Sequence, residues 1–137
     1  EVAVIGGGHV GLEVAHFLCA NNKVTIVEMA DEIGASVYYI TKFKLLPLLR
    51  EAGVTFRTGQ AIAAVDDGSI RLRDTHTGQC TELKAEAVVL AMGSRPDLAA
   101  RAAFDRNFDH VVYAGDAVRG GTMLEANRDA FALAWEF

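Results

Sequence analysis

Val2-Ala3-Val4-Ile5-Gly6-Gly7-Gly8-His9-Val10-Gly11-Leu12-Glu13 is the stretch whose reading decides the fold. Its first four residues are all apolar, the pattern of a strand buried on both faces of a parallel sheet. Gly6-x-Gly8-x-x-Gly11 follows at once and leads into apolar residues at helical spacing. The stretch therefore predicts a strand, a tight turn and a helix start. That arrangement aims unpaired amides and the positive end of a helix at one point, which suits a dinucleotide pyrophosphate. Gly6 would make the turn, Gly8 would let the pyrophosphate approach the backbone, and Gly11 would let helix and strand pack closely. Gly7, His9 and Val10 supply the backbone between them. On these residues alone, a glycine-rich turn with no ligand is the competing account.

The context strengthens the motif. A helix is expected from about residue 10 to residue 20, with Val10, Val14, Phe17 and Leu18 as its apolar face and Glu13 and His16 opposite. Asn21 and Asn22 stop it, and residues 24–27 form a second strand ending in Glu28. Glu28 lies 22 positions after Gly6 (28 − 6), close to the roughly 20 expected between this glycine turn and an acid that binds the adenosine ribose. Its charge would repel a 2′-phosphate, and no basic residue stands from Met29 to Ile40, so NADH is favoured over NADPH. The plainer account of Glu28 is a surface acid at a strand end.

Residues 30–40 read as a loop passing into a helix around Leu45, Leu46, Leu48 and Leu49, with Pro47 in its first turn or kinking it. Residues 54–58 form a third strand, completing a strand-helix-strand-helix-strand unit. The period then changes. Residues 61–65, 69–73 and 80–84 form an antiparallel meander turning at Asp67-Gly68 and Thr77-Gly78, and residues 87–91 return as a buried strand. A turn-rich junction and a weakly patterned stretch reach His110. Residues 111–114 are a further strand closed by Gly115-Asp116, and a last helix runs from about Met123 to Phe137. Phe131 and Trp135 on that helix are expected in a core or an interface with further domains. The fold class is α/β: a Rossmann-like parallel sheet with an antiparallel β-meander, plus a returning strand and helix.

Composition narrows the function. With 137 residues, 51% of them hydrophobic, and a net charge of −5, the chain can bury one core and lacks the basic face a nucleic-acid partner needs. No apolar run approaches the roughly 18 residues that span a bilayer, so no membrane partner and a cytoplasmic location are expected. Cys19 and Cys80 form no CxxC pair, and His9, His16, His76 and His110 have no ligand spacing, so neither a metal site nor a redox dithiol is expected. Glu1 immediately before a strand, and Phe137 inside a helical pattern, suggest a piece of a longer protein.

With the glycine turn, Glu28, the meander, Ala91-Met92-Gly93-Ser94-Arg95-Pro96-Asp97 and Tyr113-Ala114-Gly115-Asp116-Ala117-Val118 in one order, the chain resembles the pyridine-nucleotide domain of the two-dinucleotide-binding flavoprotein reductases. Its short final segment looks most like the C-terminal part of old yellow enzyme-like flavin oxidoreductases, the group of 2,4-dienoyl-CoA reductase, 2-enoate reductase and trimethylamine dehydrogenase. The resemblance implies an NAD(H)-binding domain over residues 1–93, a crossing segment over 94–110 that Gly93 opens, and a fragment of an FAD-binding domain over 111–137. It implies that Gly93 is among the cofactor-binding residues, that Gly115 and Asp116 bind FAD in the parent, and that Glu13 lies near the nicotinamide; a Gly-Asp after a strand is also a common turn, and an acid early in a helix also simply complements the dipole. Gly120, Gly121 and Thr122 would present backbone amides to the flavin or form a plain loop. Where relatives tend to have a glycine, this chain has Asp129-Ala130.

The expected activity is hydride delivery from NADH to FAD. By resemblance only, electrons then pass through an iron–sulfur cluster and FMN to an enoate or dienoyl-type substrate. No acid, base or nucleophile is assigned in this chain, because the hard chemistry belongs to the cofactors, and the chain alone is not expected to complete turnover. The alternative from another class is a non-catalytic NAD(H)-binding sensor. A turn that holds S-adenosylmethionine is disfavoured by the complete glycine pattern and the spacing to Glu28.

Overall fold

A computed structural model describes residues 1–136. The chain divides into two compact units, Glu1–Met92 and Gly93–Phe137.

In the first unit the apolar runs become the parallel strands β1 (Val2–Ile5), β2 (Val24–Val27), β3 (Thr55–Arg57) and β7 (Ala87–Leu90), ordered β3-β2-β1-β7. Val2 to Ile5 pair with Val24 to Val27 on one edge and with Ala87 to Leu90 on the other. Helices α1 (His9–Leu18) and α2 (Tyr39–Glu51) cover one face, where Val4, Val24 and Ile26 pack with Leu12, Ala15, Leu46 and Leu49. The opposite face carries Ala3, Ile5 and Val27. These pack against Ile70 and Leu72 of the antiparallel sheet β4 (Gln60–Asp66), β5 (Ser69–Asp74) and β6 (Cys80–Lys84). Burial on both faces is why β1 has no polar position. In the meander, Ile70 and Leu72 point inward while Arg71 and Arg73 are exposed, as the period of two requires.

Four expectations are corrected here. On α1 the buried residues are Gly11, Leu12 and Ala15, whereas Val10 and Phe17 are exposed; the inward stripe is one large residue, Leu12, flanked by the small Gly11 and Ala15. Strand β7 is a half-buried edge, because no strand pairs with its outer side among the described residues. Helix α2 begins at Tyr39, inside the stretch expected as loop, so of the two expected places for Pro47 the first turn is ruled out and the helix interior holds. Its missing N–H leaves the Phe43 carbonyl without its usual helical donor.

The second unit supplies the fourth correction and a helix the sequence had not suggested. Residues 111–114 form no strand. Tyr113 turns toward α3 (Leu98–Asn107), its hydroxyl on the Arg101 carbonyl and the Asp105 carboxylate and its ring under the Arg101 guanidinium. An apolar run without a partner strand gains nothing from extended pairing. Helix α3 is capped by Asp97, which accepts from the Ala99 and Ala100 amides. A single 3-10 turn covers Gly115–Ala117, and α4 spans Met123–Ala134. Phe131 and Trp135 meet edge to face on α4 and both are exposed; Phe137 lies outside the described residues. A capping box opens α4, with the Thr122 side chain accepting from the helix backbone and Glu125 accepting from the Thr122 amide. Thr122→Ala should therefore cost about 1 kcal/mol, measurable as earlier hydrogen exchange at the start of α4.

Candidate functional site

The turn between β1 and α1 is set by its glycines, each for a different reason. Gly6 has φ +107°, donates to the Val27 carbonyl, and leaves no room for a side chain: a Cβ there would lie 2.3 Å from the Ala91 carbonyl oxygen. A Cβ on Gly11 would lie 1.8 Å from the Gly6 carbonyl oxygen. At Gly8 the protein makes no such demand. Its φ of −78° suits any residue, and the nearest atom to an added Cβ is Ser36 Oγ at 3.9 Å. The space beside Gly8 is open.

Gly8 is also the N-cap of α1, with no side chain capping it. The amides of His9, Val10 and Gly11 form the first helical turn and by geometry have no acceptor within the helix. Val10 is exposed and His9 half-buried. Together with the dipole of a ten-residue helix, these amides give this end the chemistry that suits an anion.

Glu28 stands directly beside the turn. Its Oε2 accepts the Gly7 N–H at 2.7 Å and its Oε1 accepts the Ala30 N–H at 2.9 Å. A carboxylate has about four acceptor positions, so both oxygens stay able to accept from a pair of hydroxyls while two backbone bonds fix their direction. The segment after Glu28 folds over the turn. Gly34 N–H donates to the Gly7 carbonyl, Ile33 packs against Gly7, and His9 Nε2 accepts the Tyr38 N–H at 3.3 Å. That bond requires the neutral His9 ring with its proton on Nδ1.

Arg57 lies beside Glu28 on β3, its carbonyl accepting the Glu28 N–H, while the segment that follows Glu28 is acidic. Asp31 and Glu32 follow it, and Lys42, the first cation downstream of Glu28, is ion-paired with Glu32. A shallow cavity of about 390 Å³ opens beyond this segment, lined by Ile33, Lys42, Leu46, Arg50 and Phe56 among others. Neither the glycines of the turn nor Glu28 line it.

Glu13 is the fifth residue of α1, exposed and beyond its first turn, where the dipole has already fallen off. In the second unit Gly93 has φ +80° and is exposed. Gly115 donates to Asp129 Oδ2, and Asp116 Oδ1 accepts the Gly121 N–H at 3.2 Å. The amides of Gly121, Thr122 and Leu124 are taken by Asp116, Glu125 and Thr122. Within this unit, these three amides are therefore already taken by side chains of the same segment. Sequence reasoning missed Asp129, which holds both Gly115 and Arg119. It also missed the pairing of Asp31 with His76, 45 positions apart.

The family model described as pyridine nucleotide-disulphide oxidoreductase matches residues 1–113. The chain is 33% identical over 99% of its length to an NADH oxidase of Thermoanaerobacter brockii, covering 21% of that protein. It is 38% identical over 72% of its length to the ferredoxin–NAD(+) reductase component of a p-cumate 2,3-dioxygenase system of Pseudomonas putida, covering 24% of it. Among solved structures, histamine dehydrogenase from Rhizobium sp. 4-9 superposes on the whole chain with TM-score 0.78 at 19% identity, over 23% of its own length. The 6-hydroxypseudooxynicotine amine oxidase of Pseudomonas geniculata N1 does so over 93% of the chain with TM-score 0.70 at 27% identity, over 20% of its own length. The chain thus spans about a fifth to a quarter of these relatives.

Proposed function

Because the chain belongs to the pyridine nucleotide-disulphide oxidoreductase family, whose members use a nicotinamide dinucleotide and a flavin, we infer that its first unit holds NADH and presents it to the flavin of a larger oxidoreductase. The observation that carries this reading is the Glu28 carboxylate fixed on the Gly7 amide at the open start of α1. One site thereby has acceptors for ribose hydroxyls and donors for a pyrophosphate. Gly8 leaves the cradle empty, and the amides of His9, Val10 and Gly11 face the pyrophosphate. Glu28 takes the adenosine ribose, and Glu13 lies toward the nicotinamide end. When bound, NADH supplies a hydride. The residues of this chain contribute position, which is most of what hydride transfer between two cofactors asks of a protein.

In the parent protein, residues 1–93 form the NAD(H)-binding domain, 94–110 cross back, and 111–137, with Gly115 and Asp116, complete an FAD domain whose remainder lies elsewhere. The onward route through an iron–sulfur cluster and FMN to an enoate or dienoyl-type acceptor belongs to the same proposal and is supported only by the sequence resemblance.

Glu28→Ala tests the reading. The loss of two charge-assisted acceptors and of the repulsion toward a 2′-phosphate should weaken NADH binding by about 2 kcal/mol, roughly thirtyfold, while NADPH binding changes little or improves. Dissociation constants from fluorescence titration report both. An NADH/NADPH ratio equal to wild type would sink the assignment. At the level of the parent, a colourless full-length protein that binds NADH would replace the reductase with a sensor.

A further inference from the structure

The segment that orients Glu28 is gripped from the antiparallel sheet. Ala30 gives its N–H to Glu28 Oε1, and its carbonyl accepts the Gly59 N–H at 2.9 Å. The next residue, Asp31, meets His76 Nε2 at 2.6 Å. His76 stands in the turn between β5 and β6, and that turn is tied down. Asp74 Oδ1 accepts the His76 and Thr77 amides at 2.9 and 2.7 Å, and Thr75 donates through its N–H and its hydroxyl to the Gly59 carbonyl at 2.8 and 3.0 Å. The imidazole lies over Gly59, where an added Cβ would come within 3.5 Å of the ring. Two hydrogen bonds, joined by the peptide bond between Ala30 and Asp31, therefore link His76 to the Glu28 carboxylate.

We propose that His76 is a positioning residue for the Glu28 site: by holding Asp31 it fixes the Ala30 amide on Glu28, and its proton makes dinucleotide binding stronger in mildly acidic than in mildly alkaline solution. This rests on the cofactor reading above. The charged groups facing His76 are Asp31, from the segment after β2, and Asp74, from its own strand; the turn between β3 and β4 presents Gly59, which carries no charge. The hydrogen bond to Asp31 comes first, then the charge of Asp31 and to a lesser degree that of Asp74, in holding the His76 imidazole above its ordinary 6.5. The sign follows. A raised histidine contributes fully below about 6.5, and its contribution is lost as pH rises through the higher folded value. By reciprocity, a bound dinucleotide should raise His76 further.

ADP-ribose is the probe, since it carries the adenosine ribose and the pyrophosphate and survives acid that destroys NADH. Its dissociation constant is measured by calorimetry at about pH 6 and about pH 8.5 for wild type, His76→Gln and Asp31→Asn. Both side chains are largely exposed, so the effect is that of a surface pair. Wild type should bind on the order of two- to fivefold tighter at the lower pH, and both variants should lose that ratio while still binding. Variants that keep the ratio, or a wild type without one, would overturn the proposal and leave the cofactor site standing. A wild type that binds no ADP-ribose at either pH overturns the cofactor site and this proposal with it. A readout independent of ligand is the NMR titration of the His76 ring, which should move down in Asp31→Asn; an unmoved midpoint overturns the clasp.

Discussion

Gly8→Ala is expected to leave the fold within about 1 kcal/mol of wild type and to weaken NADH binding by about ten- to a hundredfold. The two halves of that result have separate causes. For stability, Gly8 has an ordinary backbone conformation, and an added methyl meets only Ser36 Oγ at 3.9 Å. Alanine is a poorer N-cap than glycine but also restricts the unfolded chain, and the two effects roughly cancel. For binding, the methyl group enters the space that the first-turn amides of α1 face, so a pyrophosphate must retreat from its donors. A thermal melt and an NADH titration on the same preparation check both halves. Wild-type affinity in a folded Gly8→Ala chain would place the pyrophosphate elsewhere.

Gly11→Ala should do the reverse, destabilising the first unit by on the order of 3 kcal/mol and lowering its melting temperature by about 12–24 °C. Alanine is tolerated at the third position of this motif in other chains. Here a Cβ would lie 1.8 Å from the Gly6 carbonyl oxygen, and Gly6 has no freedom to yield, held by its bond to Val27 and by the Ala91 carbonyl on its other side. Calorimetry decides: a melting temperature within a few degrees of wild type would show that α1 slides away from β1 at little cost. Comparing the two variants separates a glycine kept for the protein from one kept for a ligand.

The contrast also explains what could be read without coordinates. Strand β1, the turn and Glu28 were legible because each depends on local rules: an all-apolar run, glycines at fixed offsets, an acid at a strand end. The meander was legible from the alternation of Ile70 and Leu72 with Arg71 and Arg73. Helix α3 was not, because its apolar positions are mostly alanine and mark no large-residue helical period; Asp97 before an alanine-rich run was its only signal. The inward face of α1 was misjudged because it pairs one large residue, Leu12, with Gly11 and Ala15, whose smallness hydropathy does not register, so the stripe through Val10 and Phe17 stood out instead. Residues 111–114 have a strand's composition without a strand's neighbour. In the candidate site, His76 and Asp31 meet only because the β5–β6 turn reaches back to the segment after β2, and nothing local in either residue announces the other.

The placement of β1 between β2 and β7 bears on the order of events at the ribosome. Its second hydrogen-bonded edge belongs to Ala87–Leu90, more than eighty residues downstream, and the carbonyl that crowds Gly6 belongs to Ala91. At about 5–20 residues per second, those partners emerge on the order of 4–17 s after β1, later still by the time they clear the exit tunnel. The strand of this unit that is synthesised first is therefore the last to have both of its edges paired. The glycine turn acquires its final shape only when the whole unit is out, so a chain truncated before β7 should be degraded rather than accumulate as a half-formed dinucleotide trap.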